Sequence, residues 1–172
     1  MSLEKVTGFL TKLNRPLVGI VKNVALWMLA MMMFLTFGDV LLRYLFNSPV
    51  PGGTELIQFM MGITVTFSVA YTAHKGSHIG VDLVLMRLPE KTRRLIGCIT
   101  SFFTFILFVL ICWQTIIYIN EEYHSKLESP VLYIPVYPFI AVVSVGLVIL
   151  CLVLLAEVLS RTGEVLSEWT RS

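Results

Sequence analysis

Four long apolar stretches leave this chain few ways to fold. Val24 to Leu42 is broken only by Asp39 near its end. Glu55 to Ala73 intersperses Thr64, Thr66, Ser68 and Thr72, while Ile96 to Ile119 and Val136 to Ala156 carry no charge. A helix crossing a bilayer needs about 20 mostly apolar residues, and in lipid its backbone groups must bond to one another. Core helices of soluble proteins are rarely apolar all round for so long. The reading is an all-α membrane protein with four transmembrane helices in a single domain, with spans at about 24–42, 55–73, 96–119 and 136–156.

The composition fits lipid as the solvent. Of the 172 residues 56% are apolar and 14% charged, against about 25% charged in an average soluble domain. A net charge of +2 is too small and too scattered to indicate nucleic acid. Cys98, Cys112 and Cys151 all lie within apolar runs and read as small packing residues, not as a disulfide framework. The start, MSLEKVTGFLTKLNRP, lacks an apolar core of signal-peptide length, so the first hydrophobic segment is expected to be an uncleaved anchor.

Lys and Arg set the orientation. Lys5, Lys12, Arg15 and Lys22 precede the first span; Lys75, Arg87, Lys91, Arg93 and Arg94 follow the second; Arg161 and Arg171 follow the fourth. Only Arg43 and Lys126 fall on the other side, beside Glu55, Glu121, Glu122 and Glu128. Eleven basic residues against two predict that both termini lie in the cytoplasm. Tyr118, Tyr123, Tyr133 and Tyr137 gather at the second outer loop as an aromatic belt does. Pro130, Pro135 and Pro138 punctuate that loop. Pro89 before Glu90 reads as the first turn leading into the third span.

Two segments are amphipathic. Leu3, Val6, Phe9, Leu10, Leu13 and Leu17 recur at helical spacing with Lys5 and Lys12 off that stripe, which predicts an interfacial helix over about 3–17. The cytoplasmic connection between helices 2 and 3 forms the other. Glu157 and Arg161 are spaced for an i,i+4 pair, so the fourth helix is expected to run past the bilayer.

Polar groups inside membranes are the default functional candidates. Asp39 is followed four residues later by Arg43, the favourable order for a helical pair. An ion-coupling acid is one reading; the reading adopted is a local pair that anchors the helix end or meets a partner subunit. Glu55 opens the second span after Gly52, Gly53 and Thr54, where Thr54 is expected to cap the helix and Glu55 suits its positive end. His74 and His78 share a helical spacing open to metal or haem, but both fall at the cytoplasmic surface, and His124 lies across the membrane from them. No metal and no cofactor is therefore expected. No nucleophile with its base, phosphate-cradling loop or carboxylate pair is apparent, so the chain is not read as an enzyme. Inverted repeats and broken helices, the marks of many secondary transporters, are not apparent either. The spans instead carry small residues at close spacing, Gly62, Thr66, Ala70 and Ala73 in the second and Gly97, Ser101 and Thr104 in the third. Such stripes let helices approach closely.

The order of several short motifs carries a resemblance. Arg43-Tyr44 with Phe46-Asn47 and Pro49, then Glu55-Leu56, precede an apolar helix; His78-Ile79-Gly80-Val81-Asp82-Leu83 then precede Leu88-Pro89, and Ile134-Pro135 stands before span four. Together these resemble the small membrane subunit (DctQ type) of tripartite ATP-independent periplasmic (TRAP) transporters. One departure is Gly52-Gly53, where that family often has an aromatic or a second acidic residue before the Glu. The resemblance implies a partnership with a large multi-span membrane subunit that imports an organic acid, of C4-dicarboxylate or sialic acid type, by sodium symport. It implies that the substrate and sodium sites belong to that subunit and that a periplasmic substrate-binding protein meets the outer loops. It casts this chain as a scaffold, with Asp39, Arg43, Glu55, His78, Asp82 and Pro135 as interface or structural positions and membrane lipids as further partners. His78 and Asp82, at i,i+4 spacing, are expected to hold together a basic segment from Lys75 to Arg94 lying along the membrane surface. The alternatives are an independent small homo-oligomeric channel or exporter, and a cofactor-bearing subunit of a membrane enzyme.

Overall fold

The computed structural model describes residues 2–75 and 90–169. Four helices account for nearly all of them: α1 Ser2–Phe46, α2 Gly53–His74, α3 Glu90–Ser125 and α4 Tyr137–Trp169. All four are long and apolar enough to cross a membrane. At about 1.5 Å per residue, the 45 residues of α1 reach about twice the roughly 30 Å hydrocarbon thickness. One unbroken helix thus carries both the amphipathic stripe of residues 3–17 and the first span, with Pro16 inside it. α3 begins at Glu90, and α4 continues past its span to Trp169. There Arg161 pairs with Glu157 at 2.8 Å.

Several hydroxyls within the spans are satisfied at home. Thr36, Thr64, Thr66, Thr72, Thr115 and Ser144 each donate a hydroxyl to the carbonyl four residues back, at 2.8–2.9 Å. This back-bonding lets a hydroxyl sit in lipid without a partner helix.

The packing centres on α4. Helices α1, α2 and α4 pack on one another, and α3 joins chiefly through α4. The shared core holds Val21 and Ala25 of α1, Ile63, Phe67 and Ala70 of α2, Cys112 of α3, and Leu147, Leu150 and Leu154 of α4. Lipid tails are as apolar as these side chains, so association depends on close fit more than on the hydrophobic effect. Gly146 supplies such a fit, because a Cβ there would lie 2.6 Å from the Phe67 ring. The small residues of α2 contribute unequally: Ala70 is fully buried, whereas a Cβ at Gly62 would meet only Val143, at an ordinary 3.8 Å. Gly97 opens room for Arg161, whose Nη1 lies 2.7 Å from where a Cβ would stand. Nearer the start of α2, Phe59 stacks on Phe139 of α4, ring centres 4.3 Å apart. Cys112 is buried with Cys151 packed against that core, and both thiols are free.

Candidate functional site

The candidate residues with structural definition gather at one end of the bundle, where α1 turns into α2 and the loop before α4 folds over them. The first turn runs through Asn47 and Gly52, both with positive φ, 51° and 71°. Gly52 is the N-cap of α2 and offers no side-chain cap. The expectation that Thr54 caps this helix is therefore corrected. The left-handed backbone at Gly52 starts the helix one residue ahead of Thr54, and Thr54 falls inside the first turn. The Gly53 amide donates to the Val50 carbonyl at 3.1 Å, and the Leu56 amide to the Gly52 carbonyl at 3.1 Å.

Asp39 ties this turn to α1. Its Oδ2 accepts from Arg43 Nη2 at 3.0 Å, and its Oδ1 accepts from the Val50 amide at 2.8 Å. The carboxylate side chain is 16% exposed and the Arg43 side chain 61%. Both oxygens of Asp39 are thus engaged by the chain itself.

Glu55 does the same for the loop between α3 and α4. It is buried in the first turn of α2, where the unpaired amides favour an anion. Its carboxylate accepts from the Ser129 hydroxyl, from the Val131 amide at 3.0 Å and from the Leu132 amide at 3.1 Å. Buried amides in a loop at a membrane surface need such acceptors, because neither a helix nor a sheet supplies them. The loop closes on itself as well: the Ser129 amide donates to Ile134 at 2.9 Å and the Val136 amide to Leu127 at 3.3 Å. Pro135 faces Glu128 across that closure.

Gly52 completes the junction, since the Leu132 side chain fills the space where its Cβ would be. Asp39, Arg43, Glu55 and Pro135 therefore belong to one joint uniting the α1–α2 and α3–α4 connections. His78 and Asp82 lie outside the described residues. Sequence reasoning missed Ser129 and Leu132, and it registered Gly52 only as a departure from a familiar pattern. A serine before Pro130 in a loop gives no local sign that a glutamate 74 residues away needs it.

Chemically the joint can hold loops in place and offers little else. Among the described residues no three His, Cys, Asp or Glu side chains gather closely enough to hold a metal ion. Large apolar surfaces remain uncovered on α1 and α3, including Trp27 at 72% and Trp113 at 69% exposed. A shallow apolar groove runs along α1, lined by Leu26, Leu29, Ala30, Met33, Phe37 and Val40 among others.

Comparison with known proteins gives this arrangement a context. Residues 32–163 match the family model described as "Tripartite ATP-independent periplasmic transporters, DctQ component". The chain is similar to a Haemophilus influenzae protein described as a TRAP transporter small permease, 22% identical over 101 residues, covering 59% of this chain and 61% of that protein. It is also similar to the C4-dicarboxylate TRAP transporter small permease protein DctQ of Vibrio cholerae, 34% identical over 64 residues, covering 37% and 28%. The chain thus spans less than two thirds of the length of either relative.

Proposed function

The chain belongs to the family of DctQ components of tripartite ATP-independent periplasmic transporters, and on that premise we propose that it is a scaffold for a large transport subunit. The family is a transporter component and not an enzyme, and the chain is a multi-pass membrane protein. The proposed system imports an organic acid by sodium symport after a periplasmic binding protein delivers it. C4-dicarboxylates are the first substrates to test, because the Vibrio cholerae relative is named for them; sialic acid is the second. Both termini face the cytoplasm of the inner membrane, and the outer loops receive the binding protein.

The observation that carries the scaffold reading is the fate of the acids at the spans. Asp39 is held by Arg43 and Val50, and Glu55 by Ser129, Val131 and Leu132. A carboxylate that couples ion movement must exchange partners during each cycle, whereas these are occupied by fixed donors of the chain itself. Meanwhile the faces of α1 and α3 stay uncovered, which suits a wall built against another membrane subunit. A substrate-moving domain that shifts in the bilayer needs such a wall to resist tilt.

Uptake into liposomes tests this reading. Vesicles holding both membrane subunits, given sodium and loaded binding protein, should take up labelled C4-dicarboxylate or sialic acid; vesicles holding this chain alone should take up neither. Asp39→Asn keeps an acceptor for Val50, so the complete system should retain uptake within about twofold. Transport by the chain alone, or loss of uptake in an assembled Asp39→Asn complex, would overturn the scaffold assignment.

A further inference from the structure

Where α2 ends, opposite the Asp39 and Glu55 joint, two lysines from different helices converge on one aromatic ring. Lys22 Nζ of α1 stands 5.8 Å from the centre of the Tyr71 ring, and Lys75 Nζ, at the C-cap of α2, stands 5.1 Å from it. Both lysines are exposed and Tyr71 is half-buried. From this geometry we propose that Lys22, Tyr71 and Lys75 form a binding site for the phosphate of an acidic phospholipid headgroup.

The depth is right. The membrane-crossing stretch of α2 closes at His74, and tyrosines enrich at the level of the headgroups. The electrostatics are right as well. Cation–π attraction to a tyrosine draws in one ammonium readily, but a second ammonium near the same ring meets repulsion from the first. An anion between the two converts that repulsion into attraction. The negative end of the α2 dipole gives Lys75 a reason to sit at its cap without any ligand. It gives none for Lys22, which reaches the ring from α1. A phosphate diester satisfies both ammoniums, and its acyl chains can follow the apolar surfaces of α1 and α2. The lipid would then tie α1 to α2 at this end, as hydrogen bonds tie them at the other. This inference rests on the membrane-embedded fold and not on the transport reading, so its test needs no partner subunit.

Native mass spectrometry of the purified chain in mild detergent reads it directly, with dioleoyl phosphatidylglycerol and dioleoyl phosphatidylcholine as probes. Each lysine near an anionic lipid surface is worth roughly fivefold in affinity. Lys22→Gln and Lys75→Gln should each weaken phosphatidylglycerol binding by about that factor, and the double variant by about thirtyfold. Phosphatidylcholine binding should not change, and Lys126→Gln at the other end of the bundle should behave as wild type. Equal phosphatidylglycerol affinity in wild type and the double variant would overturn the site. So would phosphatidylcholine bound as tightly as phosphatidylglycerol. Millimolar inorganic phosphate that displaces the lipid with the same lysine dependence would mark a free-anion site and overturn the lipid assignment.

Discussion

A methyl group at Gly52 would do two kinds of damage. Its φ of 71° lies in the left-handed region, which costs a non-glycine residue about 1–2 kcal/mol, and its Cβ would overlap the Leu132 side chain. Gly52→Ala should therefore lower the thermal unfolding midpoint of the detergent-purified chain by more than the backbone cost alone. Pairing it with Leu132→Ala should recover the steric share and leave the backbone share. If the double variant recovers nothing beyond the sum of the single effects, the two residues are not in contact. The same residue shows what the sequence could and could not reveal. Gly52-Gly53 stood out as a place where a bulkier residue is common, and Glu55 was legible as an acid at a helix start. That Leu132 occupies the vacated space depends on a contact 80 positions away in the chain, which no local pattern encodes. Thr54 was misplaced for a related reason: capping propensity favours Thr over Gly only slightly, and the left-handed turn at Gly52 decided the start of the helix.

Among the elements, the four spans were legible because lipid imposes a length and a composition that few other contexts demand. The contacts between them were less so. The small-residue stripe of α2 pointed towards helix association, and its Thr66 does meet Gly146 of α4, which also receives Phe67 of α2. A lone glycine in an apolar run was the available signal, and it is a weak one, since glycine is common in membrane helices. Gly146→Ala tests the contact: its Cβ would stand 2.6 Å from the ring, and overpacking of this kind costs about 1–3 kcal/mol. The variant should melt earlier in detergent, and Phe67→Leu should restore part of the loss. An unchanged midpoint would show that α2 and α4 do not meet there. Asn14 gives α1 and α4 a polar contact, its Nδ2 donating to the Leu152 carbonyl at 3.3 Å. That contact was invisible in sequence because Asn14 sits within a stretch that reads as an interfacial helix lying along the membrane, not against α4.

For the whole molecule, charge asymmetry predicts the orientation and family membership supplies the setting. A cysteine placed at Lys126 should react with a membrane-impermeant maleimide in spheroplasts, and one placed at Arg171 should react only after the membrane is opened. Labelling of Arg171→Cys in sealed spheroplasts would reverse the topology. The structure adds a physical reason for partnership, because α3 leans chiefly on α4 and α1 keeps a long apolar face uncovered. The carboxylates of Asp39 and Glu55 are turned inward to hold loops. The central claim is that this chain is one wall of a larger machine. An affinity pull-down of the tagged chain from its native membrane, in mild detergent, tests that claim most directly. One large multi-span membrane protein should be recovered at equal stoichiometry; recovery of this chain alone, as a homo-oligomer, would overturn the scaffold reading.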